Sequence, residues 1–306
     1  MNLQMRSLMI GRGGSVKYPL LTSLISYWSL DEASDGSAPV TRADSHGANH
    51  LTDNNTTASA AGKVGNGADF ELANTESLSI ADNAALSMGD IDFSIAVWVK
   101  FESAPLDAQG MTIVSKWDVF TNHREYALRW RKNTATSLDH LEFVVSNDGT
   151  AVMSVPAATL GTPTAGVWYF VVAWHDAASN TINIAVNNGA TNSAAHTTGV
   201  LDSDSAFYLG SLNGVPAYYM DGIEDEVAIW KRTLSAAERA WLFNSGNGRS
   251  YAEIVAINAF QIYTDNLLSR WRGKSKWLIP ALDRILLPNI PAWQRGRNGL
   301  LLPQGA

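Results

Sequence analysis

A chain of 306 residues with 46% apolar and 17% charged residues has enough core-forming material for a folded protein and is not a disordered one. Its net charge of −7 excludes a general nucleic-acid binder, which needs a basic face to displace counterions. The lack of cysteine excludes a disulfide framework and thiolate metal sites, and no stretch is apolar for long enough to span a membrane.

Residues 1–19 are polar and glycine-bearing and predict an extended arm. Ser7-Leu8-Met9-Ile10 is too short for the apolar region of a signal peptide, and Gly11-Arg12-Gly13-Gly14 interrupts it. A first strand is expected at 24–28. Residues 31–61, rich in Ser, Asn, Asp, Thr and Ala, read as long loops with short strands near 49–51. A brief strand follows at 77–80. Phe93, Ile95, Val97, Val99 and Phe101 then alternate with Ser94, Ala96, Trp98 and Lys100, the period of a half-buried strand. Strands are expected at 111–117, 125–130 and 141–146, with a hairpin turn at Asn147-Asp148-Gly149 before 151–155. The near-continuous apolar run 167–175 predicts a central strand covered on both faces. Strands at 181–186, 206–209 and 223–230 complete an all-β fold of two packed antiparallel sheets.

The stretch from Met220 to Trp230 organises the rest. Asp221-Gly222 predicts a tight turn, because glycine reaches positive φ without steric cost. In a regular strand beyond it, Glu224, Glu226, Ala228 and Trp230 share one face, and Asp225, Val227 and Ile229 the other. Ser235-Ala236-Ala237-Glu238 is a capping box that opens a short helix, stopped at Asn244-Ser245-Gly246. Asp221-Gly222, Asp225-Glu226-Val227, Lys231-Arg232-Thr233-Leu234-Ser235 and Glu238 together resemble the closing signature of laminin-G-like, concanavalin A-like sandwich domains. Ile25-Ser26-Tyr27-Trp28-Ser29-Leu30-Asp31-Glu32, Asp44-Ser45-His46-Gly47 and Gly62-Lys63-Val64-Gly65-Asn66-Gly67 resemble the family's opening half. Glu224 departs from the pattern, since the family usually carries an apolar residue there.

The resemblance implies a two-sheet jelly-roll sandwich over 20–250, flanked by arms at 1–19 and 251–306, with binding as its mode of action. It also implies a structural calcium tying the first strand region to the last. Mapped by motif, its ligands would be Asp44 and Asp225, with Asp31 as the third. Calcium takes six to eight oxygens of this kind.

Binding of a glycan or polysaccharide calls for aromatic faces that stack on sugar rings, with polar groups beside them. Trp117, Tyr126 and Trp130, lying near strand ends, with Asp118, Asn122 and Arg124, form the candidate set. The alternative is a glycoside hydrolase or lyase of the same fold, with Glu224 and Glu226 as the paired carboxylates on one face. His46 and His50 have a zinc spacing only on a helix, which Gly47 and Asn49 deny.

Charge is unevenly spread. Residues 251–306 carry seven Lys/Arg against three Asp/Glu, a net of +4, so the remainder carries −11. Arg270, Trp271, Arg272, Trp277 and Trp293 supply the residue types that dominate protein interfaces, and repeated prolines break long helices. This tail is expected to anchor the chain on a capsid, tail or other particle protein, or on a second copy of itself. The combined expectation is a non-enzymatic decoration or adhesion protein at a phage-like virion surface or outside the cell.

Overall fold

Alternating apolar and small or polar side chains set the strands of the computed structural model, which describes residues 18–272, 293–295 and 301–303, with side chains from 18 to 261. In chain order they are β1 (Leu24–Trp28), β2 (Thr52–Asn54), β3 (Ala58–Ala61), β4 (Asn66–Phe70), β5 (Ser77–Ile80), β6 (Phe93–Phe101), β7 (Gly110–Asp118) and β8 (His123–Asn133). They continue with β9 (Leu138–Val145), β10 (Met153–Pro156), β11 (Trp168–Asp176), β12 (Thr181–Val186), β13 (Asn192–Ala195), β14 (Phe207–Leu209) and β15 (Gly222–Trp230).

These strands build two antiparallel sheets. The first runs β13-β12-β11-β6-β15-β4-β3, with β1 also paired to β15; the second runs β10-β9-β8-β7-β14-β5-β2. Their inner faces close on one core. Phe93, Ile95, Val97, Val99 and Phe101 of β6 point into it, as the alternation requires. Trp28 stacks across the sandwich on Phe207 at 5.2 Å, and Phe101 meets Trp130 edge-on at 4.9 Å. The fold is the expected all-β sandwich.

The outer face of the first sheet is covered as well, so β6 is not half-exposed. Trp98, Phe170, Trp174 and Trp230 form a second apolar layer with Leu234, Leu242 and Ile254. Helix α1 (Ala236–Phe243) lies over it, and its Phe243 stacks on Trp98 at 5.8 Å. The expected capping box sets its start: Ser235 Oγ accepts from Glu238 N, and Glu238 Oε2 accepts from Ser235 N at 2.9 Å. Each large apolar side chain taken out of water in this layer contributes about 1.5–3 kcal/mol.

Helix α2 (Tyr251–Arg272) follows, where the sequence foresaw an arm from 251 onward. Ile254 on its first turn is fully buried in the second layer. One compact unit ends at Ala259 and a second begins at Phe260. The second unit, 260–306, contains the remainder of α2 and an antiparallel pair, β16 (Trp293–Arg295) with β17 (Leu301–Pro303). Among the described residues no helix is long and apolar enough to cross a membrane.

Candidate functional site

One edge of β15 pairs with β6 along its length. The other edge is shared: β4 takes Gly222–Glu224, and β1 takes the part from Val227 to Trp230. Gly222 sits at φ +145°, and a Cβ there would lie 2.2 Å from Lys100 O, so the expected Asp221-Gly222 turn needs its glycine. Where the neighbour changes, the register against β6 slips from Asp225–Trp98 to Ala228–Ala96. Two residues, Glu226 and Val227, then oppose one. Glu226 adopts φ +52°, a left-handed conformation costing a non-glycine residue about 1–2 kcal/mol.

This bulge reverses the expected faces. Glu224 pairs with Val99 and Ala68, both core residues, and points inward. Asp225 pairs with Trp98 on the outer side, and Glu226 meets Tyr27 there. Glu224 and Glu226 therefore lie on opposite sides of the sheet. Glycoside hydrolysis needs two carboxylates flanking one scissile bond. The expected pairing of Glu224 with Glu226 is thus overturned, because one extra residue breaks the period of two.

The outer carboxylates are held by local structure. Asp225 Oδ2 accepts from Lys63 N at 2.6 Å and Val64 N at 2.7 Å, which clamps the β3–β4 turn. Burial raises its carboxyl to about 7 against the pull of those N–H groups, and the nearby charge of Asp31 adds to the rise. Burial, then the Asp225 charge, raises Glu226 to about 9. Glu226 is therefore protonated near neutrality. The Tyr27 hydroxyl donates to Glu226 Oε2 and also stands 3.0 Å from Arg249 O. Tyr27, Trp98, Phe170, Glu226, Leu242 and Arg249 line a small cavity here.

The expected calcium ligands, Asp44, Asp225 and Asp31, are each engaged by backbone N–H groups. Asp44 Oδ1 accepts from Tyr27, His46 and Gly47 N–H groups at 2.9–3.0 Å, and Oδ2 from Asn49 N at 3.1 Å. Burial works to raise the Asp44 carboxyl, but these donors outweigh it and hold it below its usual range. Asp31 Oδ1 accepts from Asn66 N at 2.8 Å. Each carboxylate thus folds its own turn, while among the described residues Asp225 Oδ1 is buried without a hydrogen-bond partner and the charge of Asp31 reaches Asp225. Among the described residues, the carboxylates that do gather within 4.8 Å of one another are Asp69, Glu71 and Glu102, beside the start of β15. Lys100 stands 3.9 Å from Glu102.

The glycan set is likewise divided. Tyr126 and Trp130 are buried on the inner face, at 0% and 1% exposure, and offer no ring to a sugar. Trp117 faces outward but is sealed under Leu212, Val215 and Tyr218 of the loop that follows β14. Asp118, Asn122 and Arg124 remain at the β7–β8 turn. Asp118 accepts from Phe120 N at 2.7 Å and Thr121 Oγ1 at 2.8 Å, and Arg124 donates to Thr150 O at 2.9 Å. Beside Asp118 stand Asn213, which donates to it, and two half-buried rings, Tyr208 and Tyr219. Burial, then the charges of Tyr219 and Asp118, raises the Tyr208 hydroxyl. Tyr208 was legible in principle: Phe207 and Leu209 face inward, so the residue between them faces out.

Arg270, Trp271 and Arg272 belong to the backbone of α2, and Trp293 to β16. Their side chains, and Trp277 altogether, lie outside the described residues.

Residues 72–238 match the family described as the concanavalin A-like lectin/glucanases superfamily, of laminin-G type. The binding domain of Paraclostridial Mosquitocidal Protein 1 is similar at 14% identity and TM-score 0.52, over 73% of this chain and 52% of that one. The botulinum neurotoxin serotype D ligand-binding domain, in complex with N-acetylneuraminic acid, is similar at 12% identity and TM-score 0.51, over 72% and 50%. Domain 4 of AbnA, an extracellular arabinanase from Geobacillus stearothermophilus in complex with arabinotriose, shows 16% identity and TM-score 0.49, over 74% and 98%. The chain spans about half the length of the two toxin domains, and identities this low establish likeness of fold alone. A search among curated proteins returns no match. The family match takes in more than half of the residues and coincides with two sheets, closing strand and capped helix: the chain belongs to the concanavalin A-like lectin/glucanases superfamily.

Proposed function

We propose that the sandwich is a non-enzymatic glycan-binding module whose sugar face is the outer surface of the second sheet beside the β7–β8 turn. The observation that carries this is the grouping of Tyr208 and Tyr219 with Asp118 and Asn213. Two partly exposed rings stand next to a carboxylate and an amide, as stacking and hydroxyl recognition require. The separation of Glu224 from Glu226 by the sheet supports binding over turnover. An array of sialylated, arabinose-containing and other glycans, probed with the full chain, tests the reading. Retention of one glycan class, weakened at least about tenfold in Tyr208→Ala and in Asp118→Asn, is expected. A folded protein that retains no glycan, or releases reducing sugar from one, overturns it.

The same proposal includes display on a phage-like particle, docked through the C-terminal segment. The support is compositional: residues 251–306 carry a net +4 against −11 on the remainder, with tryptophan, arginine and proline throughout. Truncation must spare Ile254, which is part of the sandwich's second layer. A chain ending at Arg272 should fold and lose particle association. Continued decoration of particles by that chain would refute the docking role.

A further inference from the structure

Lys116 lies on β7 opposite Tyr126 and Phe207, both core residues, so its side chain enters the core and has no exposed surface. Its Nζ is 2.9 Å from Asp82 Oδ1 and 3.0 Å from Glu125 Oε2, and it donates to Ser203 O. Glu125 is buried as completely. Its Oε1 accepts from Met88 N at 2.5 Å, and its Oε2 from Ser203 N and Oγ, each at 3.2 Å. Burial keeps the Glu125 carboxyl above its usual range in spite of Lys116 and these donors. Asp82 is different: its side chain is 36% exposed, and its Oδ1 accepts only from Ser87 Oγ, at 3.1 Å, besides Lys116. A buried lysine nitrogen, a buried carboxyl and a partly exposed carboxyl thus meet at one point. Tyr126, its hydroxyl bonded to Leu86 O at 2.9 Å, stands on the core side of it.

In water an ammonium and a carboxylate stay apart as solvated ions. Burial changes this in two ways. Low dielectric favours the neutral amine and neutral acid over the ion pair. Fixed contact also replaces encounter, and well-oriented intramolecular groups reach effective molarities of about 10⁵–10⁸ M. That is enough to draw a condensation forward against the water around the fold.

We propose that Lys116 and Asp82 close an intramolecular isopeptide bond, with Glu125 carrying the proton between them. The Lys116 ammonium gives one proton to Glu125, which frees the nitrogen lone pair. Glu125 passes that proton to Asp82, making its carboxyl electrophilic. Nζ adds to Cγ, the new C–N bond forms, and the C–O bond to one carboxyl oxygen breaks. That oxygen departs as water with two of the three ammonium protons. Ammonium and carboxylate become amide and water, charge is conserved, and no outside reagent enters.

The acceptor is Asp82 rather than Glu125. Turning Glu125 into the amide would replace the oxygen that accepts from Ser203 N by an N–H, which cannot accept. The partial exposure of Asp82 also gives the released water a way out. The bond would staple the loop after β5 to β7, two strands away across β14, in a chain that has no cysteine to do so.

Peptide mapping and intact mass of the denatured full-length protein test this, independently of any glycan result. The expected finding is a chain lighter than its sequence by one water, with a branched peptide joining the Asp82 and Lys116 segments. Glu125→Gln, which keeps both reacting groups, should restore the full mass and the two linear peptides. A wild-type chain of full mass with linear peptides overturns the proposal. So does a missing water mapped to any other pair of residues, and an undiminished deficit in Glu125→Gln removes the proton-carrying role.

Discussion

Two glutamates enter the core from opposite sheets and meet opposite conditions. Glu125 has a lysine, two backbone N–H groups and a serine hydroxyl on its oxygens. Glu224, no less buried, has no hydrogen-bond partner on either oxygen. Gly210 N–H, which pulls the Glu224 carboxyl downward, is committed to Ile113 O at 3.1 Å. Burial therefore drives the Glu224 carboxyl well above its usual range, with little from Gly210 to oppose it. The difference shows that burial by itself assigns no role. The first glutamate ties two loops to the sheet; the second is a neutral acid in a place that an apolar side chain could fill.

The sharpest way to break this comparison is to remove the lysine. Lys116→Met leaves Glu125 buried without the nitrogen that meets its Oε2, and without any bond from that nitrogen to Asp82, and should cost about 3–5 kcal/mol. A lowered urea midpoint measures it, and Glu125→Leu in the same chain should recover part of the loss. At Glu224 the sign reverses. Glu224→Leu should stabilise by about 1–3 kcal/mol near pH 8, since it removes an unsatisfied buried group. The gain should shrink on acidification, where the wild-type acid is neutral in both states. Equal melting temperatures at every pH would mean that Glu224 has a partner.

Asp225 and Glu226 extend the comparison to pH. Folding raises them from ordinary values of 3.8 and 4.5 to about 7 and about 9, so the folded chain retains protons that the unfolded chain releases. Their contribution to stability is full below the ordinary values and drains away as pH rises through the raised ones. Denaturation midpoints should fall from about pH 5 to about pH 9, less steeply in Asp225→Asn. The smallest effect is expected at the rim. Tyr208→Ala and Asp118→Asn should change stability by no more than about 0.5 kcal/mol, because neither sits in the core. Urea melts of variants already deficient in glycan retention provide the check.

Much of this was legible beforehand. The alternation of β6 and the apolar run of β11 fix which side chains line the core. Ser235 and Glu238 mark the start of α1 because the capping box is a local contact. The β3–β4 hairpin was lost among loops, since Ala58-Ser59-Ala60-Ala61 has neither β-branching nor alternation and is a strand only by pairing. The bulge at Glu226 was hidden for another reason: a left-handed conformation usually advertises itself as glycine or asparagine. Trp117, Tyr126 and Trp130 carry the residue type for a sugar site, but exposure depends on register and on a distant covering loop, neither of which is written in the tryptophan itself.

The position of β15 also bears on how the chain comes to be folded. The strand at 222–230 joins β6, β4 and β1, and its pairing with 24–28 spans nearly the whole sandwich. Until residue 230 has left the ribosome, those three strands have open edges facing a gap in the middle of the sheet. Contacts this remote in sequence belong to slow-folding topologies, because the loop entropy is spent before the pairing is gained. The first sheet is thus complete only once β15 is in place, and a synthesis interrupted before it leaves β6, β4 and β1 with unpaired edges open to other chains.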